Sequence, residues 1–363
     1  MRPADARAAA ALPRVLIVST DYGPPWNEGE KNIARVLHGS LVEHGWQPSV
    51  CSRRDSTLAA GPRHTGSPWE VAGALRFWVD VARAARERRA SVVHLLTSVS
   101  SALGLKCCVI KRLSGAALVL HVTGLAWPTR GYRMLLSVDR VVVGGSYLRP
   151  FFPDAVSLPP LSPHLNPRIQ WDARQATPST SPRRILYLGA MEPVRGVHTL
   201  VAAAALLAAR DFSLTLAWNG HGSDDYRRRI AEQVERLGLG DRVCWEGGGH
   251  DPARLYQEHD LVVIPRASEE RMGFPLRLIE ALSYGRPVVV SDVGEMPRVA
   301  EGCGAVFRRE DAWGLASALQ RLLGDAALYQ QCAKQAYVRA ARYEPTRTVR
   351  HLAGVYREVI GGS

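Results

Sequence analysis

Two rounds of one alternation, short apolar runs separated by helical patterns, constrain this chain more than any other feature. In the first round, residues 14–19 form an apolar run of buried-strand length. A Gly/Pro loop covers 22–29, and a helical pattern runs over 31–44 to Gly45. Further strand-like runs lie at 48–51, 91–95, 117–122 and 140–143, with a basic helix over 81–89. The second round has runs at 185–188, 214–218, 243–246, 261–264 and 287–291, and helices over 198–209, 224–237 and 276–284. Amphipathic helices over 312–323 and 346–360 follow. Strands alternating with helices in this way build βαβ units and a parallel sheet. Between the rounds, Pro159-Pro160, Ser162-Pro163, Pro167 and Thr177-Pro178-Ser179-Thr180-Ser181-Pro182 deny the chain both helix and central-strand hydrogen bonding. The pattern therefore predicts two Rossmann-like, doubly wound α/β domains. The first covers 14–160, a Pro-rich linker 161–182, the second domain 183–345 and a closing helix 346–361. Ligands of such sheets bind outside the carboxyl ends of the strands, so a cleft between the domains is the expected site.

Composition narrows the function. No apolar run reaches the ~20 residues needed to cross a bilayer. Asp5 and Arg7 interrupt the Ala-rich start, which argues against an export signal. The six cysteines include no Cys-x-x-Cys pair and are expected as free thiols in a reducing cytoplasm. Residues 1–170 hold 21 Lys and Arg against 11 Asp and Glu, so most of the formal +12 lies in the first half. That excess is either a solubility charge on solvated helices or the mark of an anionic partner, a membrane surface or a phosphorylated substrate. Nucleic acid is not expected, since no basic stretch is interleaved with stacking aromatics.

The stretch 273–291 carries the most chemistry. Gly273, Phe274 and Pro275 open a helix at Leu276 whose first-turn amides lack partners, a ready site for a diphosphate. Glu280, a turn further in, is either an ordinary solvent-facing carboxylate or one that accepts hydrogen bonds from the vicinal hydroxyls of a ribose. No Cys/His cluster has metal-ligand spacing, and neither Asp-x-Asp nor Gly-x-Ser-x-Gly occurs. The absence of Gly-x-Gly-x-x-Gly after the first strand counts against a dinucleotide oxidoreductase.

The run from Gly273 to Ser291 resembles the signature of the retaining glycosyltransferases of the two-domain GT-B fold, family 4 (glycosyl transferases group 1). The resemblance continues in Tyr187-Leu188-Gly189, Arg195-Gly196-Val197, Trp218-Asn219-Gly220-His221-Gly222, Asp241 to Gly247, and Leu261 to Pro265, in the family's order and spacing. It implies a GT-B molecule whose C-terminal helices pack back toward the first domain. The implied reaction moves a sugar from a nucleotide-diphosphate donor to an acceptor hydroxyl with retention, metal-free and without a cofactor. Gly189, Arg195, Gly220, Phe274, Pro275, Leu276, Arg277 and Glu280 are the implied donor-binding residues, with Glu280 on the ribose and Arg195 on the diphosphate. Glu280→Ala is expected to cripple donor use while leaving the fold intact. His121, read as a strand-end residue, matches a His that many relatives place beside the transferring sugar, and is the third expected catalytic residue after Arg195 and Glu280. His94, another strand-end His, is read as structural. Glu28, Gly29, Lys31 and Asn32 occupy the place of the acceptor loop.

Besides Arg195, which stands where the family usually has a Lys, two positions depart from the family pattern. Met272 stands where its first Glu belongs, so a shifted register brings Glu269 or Glu270 into the sugar pocket. Ala190 replaces a phosphate-binding Arg, a loss that Arg266, Arg271 or, best placed, Arg277 makes good. These departures support an alternative, a non-catalytic GT-B nucleotide-sugar binder or partner subunit. The acceptor is expected to be anionic, lipid-linked or a small molecule. The location is cytoplasmic, with peripheral attachment at the inner membrane face as one version.

Overall fold

A computed structural model describes residues 12–19, 22, 29–52, 68–99, 103–125, 137–166, 183–207, 211–249, 251–270 and 273–362. The chain divides into two compact units. Described residues within Met1–Gly144, Leu148–Leu158 and Pro345–Ser363 form the first, and those within Gly145–Tyr147 and Pro159–Glu344 the second.

The first unit runs β1 (Arg14–Val18), α1 (Gly29–Ser40), β2 (Gln47–Cys51), α2 (Pro68–Glu87), β3 (Val92–Val99), α3 (Leu103–Ser114), β4 (Ala117–Leu125), β5 (Arg140–Val143) and β6 (Val156–Ser157). Its sheet is parallel, in the order β2-β1-β3-β4-β5-β6. The second unit runs β7 (Arg183–Met191), α4 (Val197–Leu206), β8 (Phe212–Gly222), α5 (Asp224–Arg236), β9 (Val243–Glu246), α6 (Pro252–Glu258) and β10 (Leu261–Ile264). It continues with α7 (Leu276–Ser283), β11 (Val288–Ser291), α8 (Met296–Ala300), β12 (Gly304–Phe307), α9 (Ala312–Gly324) and α10 (Ala326–Ala340). Its parallel sheet has the order β12-β11-β10-β7-β8-β9. The closing helix, α11 (Pro345–Gly361), belongs to the first unit.

Burial on both faces explains why these strands read as unbroken apolar runs rather than alternating ones. In β7, Ile185 and Tyr187 face one core with α4, α5 and α9, whereas Leu186 and Leu188 face the other with α6, α7, α8 and α10. Each fully buried Val, Leu or Ile contributes about 1.5–3 kcal/mol to holding these layers. Helix α7 stops where the sequence predicts, at Gly285. That residue has φ +66, and a Cβ there would fall 2.1 Å from the Tyr337 ring.

Several sequence expectations are corrected. The pattern over 31–44 is a helix only to Ser40, followed by a separate 3-10 turn, Val42–His44. Helix α2 extends well beyond the basic segment, from Pro68 to Glu87. Asn219 to Gly222 are not a loop, because β8 continues through them with a register shift against β7. His94 and His121 are not strand-end residues. Both lie inside strands that pairing of β3 with β4 carries as far as Val99 and Leu125. Helices α6 and α10 have readable start signals, since the Asp251 and Asp325 side chains cap them by accepting from Ala253 N and Leu328 N. The described part of the Pro-rich segment packs onto the second unit, burying Leu161, Ser162 and Leu165.

Candidate functional site

The second sheet reverses its winding direction between β7 and β10, which lie side by side. The carboxyl ends of two such strands diverge into separate loops and leave a ligand crevice. From β7 the chain passes Gly189, Ala190 and Met191 into a 3-10 turn, Pro193–Arg195, then Gly196 and α4. From β10 it passes Pro265 and Arg266. The two loops are fastened together, because Ala267 N donates to Val194 O at 3.0 Å. Gly196 has φ +70, and a Cβ there would lie 1.8 Å from Pro265 O. Only glycine permits both the conformation and the approach.

This clamp makes Arg195 and Arg266 neighbours. Arg266 is buried; its Nε donates to Ser268 O at 2.8 Å, its Nη2 donates to Glu270 O, and its own carbonyl accepts from Ser291 Oγ. Burial, and then the Arg195 guanidinium, pull its pKa down to about 10, still far above neutrality. The Arg195 side chain is 42% exposed, its Nε is 3.7 Å from the Glu192 carboxylate, and that Nε makes no hydrogen bond. Two guanidiniums close enough to act on each other, with Glu192 and Glu270 the acids that act on Arg266, offer charged donors suited to a diphosphate. Ala190 supplies no cation; its carbonyl accepts from Tyr187 OH at 2.6 Å.

Glu280 sits inside α7 and is 1% exposed, so it is not a solvent-facing carboxylate. Its Oε1 accepts from Ser162 Oγ at 2.6 Å, and its Oε2 from Tyr256 OH and Arg277 Nη1, each at 2.8 Å. Burial would raise its pKa, but Arg277, His164, Ser162 and Tyr256 together hold it below the usual carboxylate value. Arg277 feels the converse, burial being outweighed by Glu280 and Tyr256, so it is held more firmly protonated. Arg277 is thus taken up by Glu280; the cation beside Arg195 is Arg266. Pro275 caps α7 without a side-chain hydrogen bond, and Phe274 lies against Tyr343 at 5.8 Å between ring centroids.

The remaining expected residues are dispersed. Leu276 opens α7, Gly189 accommodates the Tyr187 phenol, and Gly220 is in β8 with φ +81. Glu269 and Glu270 are exposed; Glu269 receives Arg309 Nη2 at 3.4 Å, and Glu270 N donates to Ser268 Oγ. Met272, Arg271 and Glu28 lie outside the described residues. Gly29, Lys31 and Asn32 are not a loop but the first turn of α1. There Lys31 and Asn32 are buried, and Asn32 Oδ1 has no hydrogen-bond partner.

In the first unit, His121 Nδ1 and His94 Nε2 are 3.2 Å apart, and Tyr356 OH is 2.8 Å from His94 Nδ1. Burial lowers the His121 pKa to about 4 and takes His94 well below its ordinary value, with help from His121, so both rings are neutral at neutral pH. His121 Nε2 has no hydrogen-bond partner. A buried orphan of this kind costs about 1–3 kcal/mol and calls for an explanation.

Sequence reasoning missed Ser162, Tyr256, Tyr356 and Glu295. Glu295 accepts from Ser146 Oγ, from Tyr147 N at 2.7 Å and from Arg298, fixing 145–147 onto the second unit. Nothing in local pattern marks these residues, because each acts on a group far along the chain. A groove of about 450 Å³, lined in part by Arg184, Thr215, Trp245 and His259, lies at the opposite end of β7–β9. Several of the polar groups in and around it are already engaged. His259 bonds Thr215 Oγ1 and Leu255 O, Arg184 faces Asp260, and Arg254 pairs with both Glu246 and Glu258. Among the described residues no group of three or more His, Cys, Asp or Glu is arranged to hold a metal ion, and no helix is long and apolar enough to cross a membrane.

Residues 182–325, which contain Arg195, Arg266 and Glu280, match the family model described as glycosyl transferases group 1. The solved structure of a glycosyltransferase from Rickettsia africae superposes with a TM-score of 0.77 at 16% identity, covering 97% of this chain and 99% of that one. HepE from Anabaena, in complex with UDP and glucose, gives 0.70 at 15% identity over 96% and 100%. The fold is GT-B. Within this GT-B chain, the similarity to two curated proteins spans about half its length. It is 30% identical over 187 residues to the D-inositol 3-phosphate glycosyltransferase of Salinispora tropica (48% of this chain, 38% of that protein). It is 31% identical over 183 residues to the alpha-D-kanosaminyltransferase of Streptomyces kanamyceticus (48% and 45%). The matched segment thus spans about two fifths of the length of these relatives.

Proposed function

We propose that this protein is a glycosyltransferase that moves a sugar from a nucleotide-diphosphate donor to an acceptor hydroxyl, with retention of configuration and without a metal, in the manner of family 4. The reading rests above all on one observation: two neighbouring guanidiniums, Arg195 and Arg266, lie at the winding switch of the sheet that matches glycosyl transferases group 1. Arg195 and Arg266 neutralise the departing diphosphate, the role a divalent cation takes in other transferases. The first-turn amide of α7 at Arg277 adds a hydrogen-bond donor beside it, whereas the Leu276 amide is already taken by Phe274 O at 2.9 Å.

Glu280 holds the ribose. Its Oε1 receives only the Ser162 hydroxyl, which leaves a lone pair for a second one. Because the carboxylate is buried, a ribose hydroxyl reaches it by moving the Ser162 segment or taking its place. In the transfer, the bond from the sugar's anomeric carbon to the diphosphate oxygen breaks and a bond to the acceptor oxygen forms on the same face. The departing phosphate takes the acceptor's proton. Such chemistry needs position and charge rather than a strong base. The low basicity of His121 accords with that.

The acceptor is anionic. The first half is strongly basic, and one relative is named a D-inositol 3-phosphate glycosyltransferase. A lipid-linked acceptor at the cytoplasmic membrane face and a soluble small molecule are distinguished by sedimentation with anionic vesicles at low and high salt. The activity itself is tested by incubating the purified chain with nucleotide sugars and acceptor mixtures and measuring release of nucleoside diphosphate. Release dependent on Arg195 supports transfer. Tight binding without release supports the non-catalytic nucleotide-sugar binder instead.

A further inference from the structure

The first unit holds a chain of three buried groups that the diphosphate chemistry does not use. In the parallel register Leu96 pairs with His121 and His94 with Val119. Side chains alternate along a strand, so His94 and His121 emerge on the same face of the sheet. Their rings meet edge to face, 5.3 Å between centroids and 89° between planes. Tyr356 of α11, fully buried and lying 5.1 Å from the Trp46 ring, closes the row through His94 Nδ1.

Counting protons along the row leaves one arrangement with a single unmet group, His121 Nε2. Burial keeps the Tyr356 phenol protonated, and among the described residues its one recorded hydrogen-bond partner is His94 Nδ1. A buried O–H donates wherever an acceptor exists, so His94 Nδ1 accepts. The His94 proton is then on Nε2 and is donated to His121 Nδ1, which leaves the His121 proton on Nε2. The opposite arrangement, with His94 Nδ1–H donating to Tyr356, strands the phenolic hydrogen in the interior and leaves the His121 Nε2 lone pair unmet as well. Beside His121 Nε2 the backbone of Gly144 is bare, and a Cβ there would stand 3.9 Å away.

We infer that Tyr356, acting through His94, is a positioning residue that locks His121 in the Nε2–H form and presents it as a neutral hydrogen-bond donor to an oxygen of the sugar substrate. The ligand assignment rests on the glycosyltransferase reading; the tautomer assignment does not. In this form His121 cannot serve as a general base, since Nδ1 is already accepting and Nε2 already carries its proton.

The test is long-range ¹H–¹⁵N correlation of the imidazoles in the full chain labelled at histidine nitrogen, at neutral pH and without ligand. The expected spectrum shows both His94 and His121 with protonated Nε2 and unprotonated Nδ1. Tyr356→Phe is expected to move both rings toward a mixture of tautomers, and in a transfer assay to lower kcat about tenfold, the scale of one lost hydrogen bond, with donor affinity unchanged. A wild-type His121 protonated on Nδ1 overturns the inference by itself, even if the variant fails to fold. So does a folded Tyr356→Phe protein whose two imidazoles are unchanged. Should the tautomers appear as expected in a protein that transfers no sugar, the relay stands and the sugar assignment falls.

Discussion

The guanidiniums of Arg195 and Arg266 are neighbours at the carboxyl ends of two adjacent parallel strands, where the backbone of Gly196 lies against the carbonyl of Pro265. A sheet that changes winding direction at this point leaves its loops apart, and here a backbone hydrogen bond and one glycine join them again. The positive charge is therefore a product of topology plus one close approach, and it follows that the approach can be removed on its own.

Gly196→Ala should do so. The added methyl meets Pro265 O and requires a left-handed backbone that alanine resists, at a cost of about 1–3 kcal/mol. Thermal unfolding should register that loss, and nucleoside-diphosphate affinity should fall with it even though neither arginine is altered. Unchanged affinity would mean that the clamp does not set the Arg195 position.

Glu280→Ala is expected to lower stability as well as donor use, which revises the expectation from sequence that the fold would be untouched. Removing the carboxylate leaves Arg277 largely buried without its ion partner, at a cost of about 3 kcal/mol. Glu280→Ala combined with Arg277→Met should recover much of the stability and none of the donor binding. Chemical denaturation alongside ligand titration checks both halves.

Acid should destabilise the protein in two steps of different origin. His94 and His121 have lowered pKa values, so between the ordinary value of 6.5 and about 4 the unfolded chain binds more protons than the folded one, and stability falls as pH drops. Glu280 acts later. Its stabilisation is complete above the ordinary 4.5 and is lost as pH falls through its lower folded value. Denaturant midpoints across this range should show the first step flattened in His121→Gln and the second in Glu280→Gln.

The sequence was most informative where burial on both faces imposes continuous apolar strands, as in residues 261–264 and 288–291, and where a single residue ends an element, as at Gly285. It was least informative where a side chain meets a distant segment. The helix that carries Glu280 was legible, but Ser162 and Tyr256, which determine the surroundings of its carboxylate, carry no local signal. Arg277 looked the natural phosphate ligand because it opens the right helix, yet its i,i+3 relation to Glu280 gives it a nearer partner. The two histidines were readable as strand residues, but their meeting depends on a two-residue diagonal in the β3–β4 register and on a tyrosine in the last helix.

The donor site stands or falls on calorimetric titration of the wild-type chain and of Arg195→Ala with a panel of nucleoside diphosphates. Arg195 is partly exposed and its replacement leaves the hydrogen bonds of Arg266 to Ser268 O and Glu270 O in place, so a change in affinity reports on the ligand rather than on folding. At least one diphosphate should bind the wild type, and the variant should bind it about tenfold to a hundredfold more weakly, the scale of a lost charge-assisted hydrogen bond. Equal affinities in the two proteins, or no binding by any member of the panel, would contradict the account.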